Sequence, residues 1–259
     1  MNSRDSGVGL LPTASTLTSP PVNPVQHGMA LFNAAEPDYV RAVGWFRAAA
    51  EANDGDGLAM LGLCQLEGLG MPADAVQARV LLERAAARGS AIGRFQFGRV
   101  LMTGRGGPAD ESRGLSAYVA AAAMGHAEAS FNLANCLYAG VGCLPDRLAA
   151  KALYLRSRSL GCPLRPKGVL VHKRELKAVR SLALRFADAN RLIFLIQERQ
   201  QELALAQAVA QPKPRPAAGP AKKPQAWRFA ASVMAAMAGT LGGYLRPTSR
   251  DAGPTTLTF

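Results

Sequence analysis

Cysteine and histidine, which are frequent metal ligands and catalytic residues, are both scarce in this 259-residue chain. They are Cys64, Cys136, Cys143, Cys162, His27, His126 and His172. A structural metal site needs about four closely grouped ligands, and the sequence contains no such group. It also contains no phosphate-binding glycine loop and no Gly-x-Ser-x-Gly nucleophile elbow. We therefore predict no metal, no cofactor, no small-molecule substrate and no catalytic residue, which means that the chain is not an enzyme.

The elements that carry these side chains repeat with a period of 36 residues. Four positions return in three copies: Gly68, Gly104 and Gly140; Gly70, Gly106 and Gly142; Asp74, Asp110 and Asp146; Gly89, Gly125 and Gly161. Glycine ends a helix and aspartate caps the next one, so each copy is predicted to be a helix, a turn and a second helix. Neither helix can bury its apolar face alone, and the pairs must therefore stack into a solenoid.

The stretch LGLCQLEGLGMPADAVQARVLLERAAARG and its two later copies resemble the Sel-1-like repeat, a relative of the tetratricopeptide repeat. The resemblance divides residues 22–162 into an atypical unit over 22–56 and repeats over 57–92, 93–128 and 129–162. It implies an all-α, right-handed α-α superhelical solenoid from a bacterium. It also implies a non-catalytic scaffold or adaptor that binds protein partners. Ala134 and the pair Ser157-Arg158 depart from the family pattern, which predicts that this copy ends the stack.

One stripe on the first helices is the candidate groove for a protein partner. Its positions share a helix face at i, i+3 and i+7. They are Met60, Leu63 and Glu67, then Gln96, Arg99 and Thr103, then Asn132 and Asn135. The first helices line the concave side of a helical solenoid, and the stripe becomes rich in amides along the stack. A solvated face with no partner is the alternative interpretation of the same pattern.

The cysteines are interpreted through the resemblance. Some secreted members of the family join the two helices of a repeat by a disulfide. Cys64 and Cys136 occupy equivalent first-helix positions here, but no second-helix cysteine pairs with either of them. We therefore expect a reducing compartment, with both side chains packed in the core.

The positive charge lies in the C-terminal third of the chain. The net charge is +12, and residues 163–259 hold 16 basic and 5 acidic side chains. Residues 163–210 are predicted to be a basic connector followed by one long helix from residue 173. The helix either caps the solenoid or pairs with another chain, and its short heptad pattern favours the cap. We expect no nucleic-acid partner, because no DNA- or RNA-binding motif accompanies the charge.

The remaining segments lack the repeat. They are a Ser/Thr/Pro-rich leader over 1–21, a Pro/Lys-rich linker over 211–225, an apolar helix over 226–246 and a tail over 247–259. The leader and tail are predicted to be disordered. The uncharged run 229–245 is a candidate membrane anchor, although its ~17 residues make a helix of about 25 Å against a hydrocarbon core of ~30 Å. A helix docked on protein and a weakly ordered tail are the alternatives.

Two locations follow from these segments. The first is the cytoplasm, with attachment to the inner membrane through residues 226–246 and an anionic membrane surface as a second partner. The alternative is secretion without a cleaved signal peptide. In that case the leader is a type III-like export signal and the chain is an effector or virulence factor that engages a host protein.

Overall fold

The computed structural model describes residues 23–210, and this part of the chain is all-helical with no strand. The predicted leader over 1–21 and the predicted segments beyond residue 210 lie outside the described residues. The helices run as α1 Pro24–Phe32, α2 Tyr39–Glu51, α3 Gly55–Glu67, α4 Ala75–Ala87, α5 Ala91–Thr103, α6 Glu111–Ala123, α7 Ala127–Ala139, α8 Arg147–Ser159, α9 Leu176–Ala187 and α10 Ala189–Ala210.

The helices α1 to α8 form four consecutive pairs. Each first helix packs against the second helix of its own pair, and each second helix packs against the first helix of the next pair. The first helices α3 and α5 also contact each other directly. Every pair therefore completes its core with its neighbours, which is the arrangement of a solenoid.

The recurring aspartates and glycines begin and end these helices. Asp74, Asp110 and Asp146 accept hydrogen bonds of 2.9–3.0 Å from backbone N–H groups in the first turns of α4, α6 and α8. The first helices α3, α5 and α7 end at left-handed glycines with φ of 69° to 76°. The closing glycines after α4, α6 and α8 also have φ near 85°. The 36-residue spacing of these residue types is thus the spacing of helix ends.

The second glycine of each turn has an additional role. A Cβ on Gly70, Gly106 or Gly142 would collide with the main chain of Tyr39, Ala75 or Glu111, respectively. Those three residues are the first residues of α2, α4 and α6. Each turn therefore lies directly against the start of the second helix in the preceding repeat, and only glycine fits there.

His126 is the N-cap residue of α7, as Asp54 and Ser90 are the N-cap residues of α3 and α5. Its Nδ1 accepts the N–H of Ala129 at 3.2 Å, and its ring stacks on Phe95 with centroids 4.4 Å apart. An acceptor at Nδ1 requires the neutral imidazole. Burial also disfavours the charged form and lowers the pKa of His126 to about 4.

The segment after α8 contains two helices where the sequence predicts one helix from residue 173. Asp188 is extended, with ψ of 111°, and its carboxylate accepts the N–H groups of Asn190 and Arg191. This side chain starts a new helix and ends the old one, because it satisfies donors that a continuous helix would use internally. The heptad pattern runs through both helices and does not reveal the break.

The two last helices cover the end of the stack. The helix α9 packs on α8, and α10 packs on α6 and α9. Leu115 and Val119 of α6 share an apolar cluster with Leu192, Leu195 and Ile196 of α10. One repeat earlier the equivalent positions hold the polar residues Arg79 and Glu83. The outer face of α6 is therefore apolar where α10 covers it.

Two polar contacts fix α10 on the last repeat. The Arg199 guanidinium donates to both carboxylate oxygens of Asp146, at 2.5 and 3.0 Å. The Gln200 amide accepts from the Leu144 N–H at 2.8 Å and donates to the Leu144 carbonyl at 3.0 Å. Asp146 is buried and also caps α8, so one carboxylate joins the repeat to the covering helix.

Substitution of Gly106 and Gly125 distinguishes two effects on stability, the collision of a Cβ with a neighbouring main chain and the strain of a positive φ. Gly106→Ala should lower the free energy of unfolding by more than about 3 kcal/mol, because the new methyl group meets the Ala75 main chain. Gly125→Ala, at φ of 86° with nothing within 4 Å, should cost only about 1–2 kcal/mol. Urea unfolding followed by circular dichroism measures both variants. Equal losses would contradict the inter-repeat contact.

The stability of the stack should depend on pH through His126. Its pKa is lower in the folded chain than the ordinary 6.5, so the unfolded chain binds more protons between the two values. The contribution of His126 is complete above about pH 6.5, and up to about 3 kcal/mol of it is lost as the pH falls to about 4. His126→Asn keeps a capping oxygen and should flatten this part of the curve of unfolding free energy against pH. Parallel curves for both proteins would refute the assignment.

Candidate functional site: the first-helix stripe

The predicted groove residues are mostly shielded from solvent in the described structure. The buried ones are Met60, Leu63, Gln96, Arg99, Asn132 and Asn135. Glu67 and Thr103, at the C-terminal ends of α3 and α5, are partly exposed. The stripe is therefore not an open solvated face along its length, and its role as a groove for a partner stays a prediction. The stripe is buried because a first helix packs against two second helices and, for α3 and α5, against another first helix.

Arg99 is the one cationic side chain of the stripe, and it is 4% exposed. Its Nη1 donates to the Gln96 Oε1 at 2.7 Å, while its Nε has no hydrogen-bond partner. No carboxylate of the described residues lies within ion-pair distance of it. Burial lowers the pKa of Arg99, and the more distant Glu67 and Glu128 oppose that effect. Arg99 is thus a buried positive charge held by a neutral amide.

Next to Arg99 lie two further polar groups without partners. Asn132 on α7 is fully buried, and neither its amide nitrogen nor its amide oxygen makes a hydrogen bond. The Tyr118 hydroxyl of α6 lies close enough to the Asn132 side chain for that amide to lower the pKa of Tyr118, although the two groups do not meet in normal hydrogen-bond geometry. Burial raises the pKa of Tyr118, while Arg99 and Asn132 lower it. We call Gln96, Arg99, Tyr118 and Asn132 the polar cluster.

The other amide of α7 is satisfied. The Asn135 Oδ1 accepts the hydroxyl proton of Tyr154 at 2.6 Å. Asn132 and Asn135 are therefore two buried residues of the same type, one helical turn apart, with opposite hydrogen-bond status. An unpaired buried polar group costs about 1–3 kcal/mol, so the polar cluster destabilises the fold where Asn135 does not.

The partly exposed end of the stripe is also polar. The Thr103 hydroxyl donates to the Arg99 carbonyl at 2.8 Å, one turn from the polar cluster. Arg105 in the following turn pairs with Glu67 at 2.5 Å and donates to the Leu66 carbonyl at 2.8 Å, which ties two repeats together. We call Glu67, Thr103, Arg105 and Ala139, all partly exposed, the first-helix edge.

The thiols do not provide a nucleophile at neutral pH. Cys64, Cys136, Cys143 and Cys162 are all free of disulfides. Burial raises the pKa of Cys64 and of Cys143 to about 12, so both stay protonated. Within residues 23–210, no group of three or more histidine, cysteine or acidic side chains could hold a metal ion.

Sequence reasoning missed Tyr118 as a member of the polar cluster. It occupies a position that holds Leu82 in the previous repeat and Tyr154 in the next, so it is recognisable only as a bulky core residue. Its ring lies against Gly98, where a Cβ would come within 2.8 Å of it. The small residue in mid-helix is a usable signal for this close packing, although it does not indicate that the hydroxyl lacks a partner.

The proposed membrane anchor over 226–246 lies outside the described residues. In the part that the structure describes, none of the helices is long and apolar enough to cross a bilayer.

A family model described as Sel1 repeat matches residues 26–54, 55–90, 93–126 and 127–162. The crystal structure of a Sel1 repeat protein from Oxalobacter formigenes is 23% identical, with a TM-score of 0.48, and the match covers 61% of this chain and 69% of that one. The structure of c5321, a protective antigen of uropathogenic Escherichia coli strains with an SLR fold, is 16% identical, with a TM-score of 0.40. That match covers 76% of this chain and half of c5321. No curated protein matches.

Paired substitutions on α7 test the status of the two amides. Asn132→Leu replaces two unpaired polar atoms by methyl groups of similar shape and should leave the free energy of unfolding unchanged or raise it by about 1 kcal/mol. Asn135→Leu, the matched control, breaks the bond to Tyr154 and should lower the free energy of unfolding by about 1–3 kcal/mol. Thermal unfolding of both variants measures the difference. A greater loss for Asn132→Leu would show that Asn132 is satisfied in solution.

Proposed function

Because this chain belongs to the Sel1 repeat family, whose repeats are generally protein–protein interaction modules, we propose that it is a non-catalytic scaffold with a defined docking site. The site is the first-helix edge, and a protein partner that lies there reaches inward to the polar cluster. The proposal concerns only the described repeats. Tethering through 226–246 and export through 1–21 are separate hypotheses and are not required for it.

The observation that carries this proposal is the set of unpaired polar groups behind the edge. Nearly all buried polar groups in native proteins have hydrogen-bond partners, so several unpaired ones in one place require an explanation. Arg99 Nε and the Asn132 amide nitrogen are donors, the Asn132 amide oxygen is an acceptor, and the Tyr118 hydroxyl can be either. A partner that supplies polar atoms here gains these bonds without paying to desolvate the protein side again.

The charge of the cluster selects among partners. Arg99 is cationic and has no carboxylate within ion-pair distance in the described structure. A carboxylate or main-chain carbonyl of the partner would neutralise or solvate it, whereas a cationic side chain would add repulsion in a site of low dielectric. We therefore expect an acceptor-rich, acidic segment at this position of the partner.

Entry to the cluster is limited to the edge. Thr103 is partly exposed and stands one helical turn from Arg99; Glu67 is also partly exposed, while the other six residues of the stripe are buried. The partner therefore first contacts the C-terminal ends of α3 and α5. Access to Asn132 then requires a small separation of the first helices, which is a conformational cost that the new bonds must exceed.

Site-specific photo-crosslinking in cells tests the docking site. A photoreactive side chain at position 103 or 139 places the probe on the first-helix edge, and one at position 80 or 116 places it on the exposed outer faces of α4 and α6. We expect the same protein to be captured from both edge positions and from neither outer position. Arg99→Met should reduce that capture by at least about tenfold, because the charge that the partner neutralises is gone.

Positions 80 and 116 are the matched control, because a probe there tests the same folded chain at the same cellular concentration of the partner. Capture from positions 80 and 116 with none from 103 and 139 would place the docking site on the second helices. Equal capture from all four positions would mean that the edge has no special role. Circular dichroism of each variant verifies that the fold is intact.

A further inference from the structure

The connector and α9 carry a dense set of exposed cations. They are Arg165, Lys167, Lys173, Arg174, Lys177, Arg180 and Arg185. None of them forms an ion pair within the described residues. The one acidic side chain between residues 163 and 187, Glu175, pairs with Lys151 at 2.6 Å. This surface therefore presents positive charge with no free carboxylate among it.

Large apolar side chains are exposed in the same stretch. Leu184 is 76% exposed and Leu170 is 72% exposed. In α9 the core-facing residues are Val179, Leu182 and Phe186, all buried, and Leu184 lies on the opposite side of the helix. A solvent-facing leucine of this exposure contributes nothing to the packing of α9 on α8.

Helical geometry places cations beside this leucine. Lys177 and Arg180 precede Leu184 by seven and four residues, so they lie on the same face of α9, and both are exposed. The solvent face of α9 is thus a leucine preceded along the helix by two cations. We call Lys177, Arg180 and Leu184 the outer face of α9.

An apolar side chain among unpaired cations matches the chemistry of an anionic bilayer. The leucine enters the boundary between headgroups and acyl chains, while lysine and arginine stay at the level of the phosphates. Nucleic acid would use the cations but would leave the leucine exposed to water. We propose that the outer face of α9 binds the surface of a membrane that contains anionic lipid.

This proposal does not depend on the first-helix edge or on whether residues 226–246 insert into a membrane. It is peripheral, since α9 lies on the surface of α8 and does not cross the bilayer. Each cation near an anionic surface contributes a factor of about five in affinity, so Lys177 and Arg180 together should contribute about 25-fold.

Vesicle co-sedimentation of the full chain tests the proposal. The vesicles are phosphatidylcholine alone or phosphatidylcholine mixed with phosphatidylglycerol. We expect binding to the mixed vesicles, little binding to the neutral ones, and release by salt. The double variant Lys177→Glu/Arg180→Glu should weaken binding to the mixed vesicles by more than about tenfold, and Leu184→Asp should do so by at least about fivefold.

Matched controls change the same charge and the same exposure elsewhere. Arg47→Glu/Arg88→Glu alters the net charge equally on exposed residues of α2 and the end of α4. Val76→Asp alters another exposed apolar residue, which is 62% exposed on α4. Both controls should change vesicle binding by less than about twofold, and thermal unfolding confirms that every variant is folded.

Three results would overturn the proposal. The first is equal binding to neutral and mixed vesicles that the α9 variants do not change, which would place membrane binding in another segment. The second is an equal loss for the α9 double variant and its charge-matched control, which would mean a general effect of net charge. The third is no binding to either vesicle, which would leave an acidic protein as the occupant of this face.

Discussion

Each turn between paired helices lies against the main chain that starts the second helix of the preceding repeat, and this contact sets how the repeats stack. It requires glycine at positions 70, 106 and 142, because a Cβ would collide with a backbone that cannot move aside. The helix caps, the 13-residue helix length and the packing of each second helix on the next first helix are consistent with this fixed offset. The core is continuous because the offset recurs.

Within that frame the first helices are enclosed and the second helices are amphipathic. Because the first helices are enclosed, each polar residue of the stripe has a larger effect on the free energy of folding than the same residue would have at the surface. A surface asparagine is satisfied by water, whereas Asn132 and Arg99 have lost water and have not replaced all of its hydrogen bonds. A scaffold in which stability is reduced at one place has a local reason to open there, and Arg99, whose Nε is unpaired, lies one turn from the partly exposed Thr103 at the end of α5.

Much of the fold could be predicted from the sequence, and much of the site could not. Glycine and aspartate act through local backbone chemistry, so their spacing predicted the helix ends and the solenoid of the Sel1 repeat family. The exposure of the stripe depends on how closely neighbouring first helices pack, and no local residue type encodes that distance. The break at Asp188 was not predicted, because an aspartate on the polar face of a heptad pattern is equally compatible with a continuous helix, and its capping of the Asn190 and Arg191 N–H groups depends on the backbone conformation. The docking role of the stripe stays a prediction.

The way α10 covers the stack limits how this array can change length in evolution. Its contacts require an apolar outer face on α6 and the Asp146 carboxylate at the start of α8, which belong to two adjacent repeats. A duplicated unit inserted between those repeats would separate the two halves of this binding site for α10. A unit inserted before α5 would leave both halves in place. Gain or loss of repeats is therefore expected to disturb this covering helix least on the N-terminal side of the array.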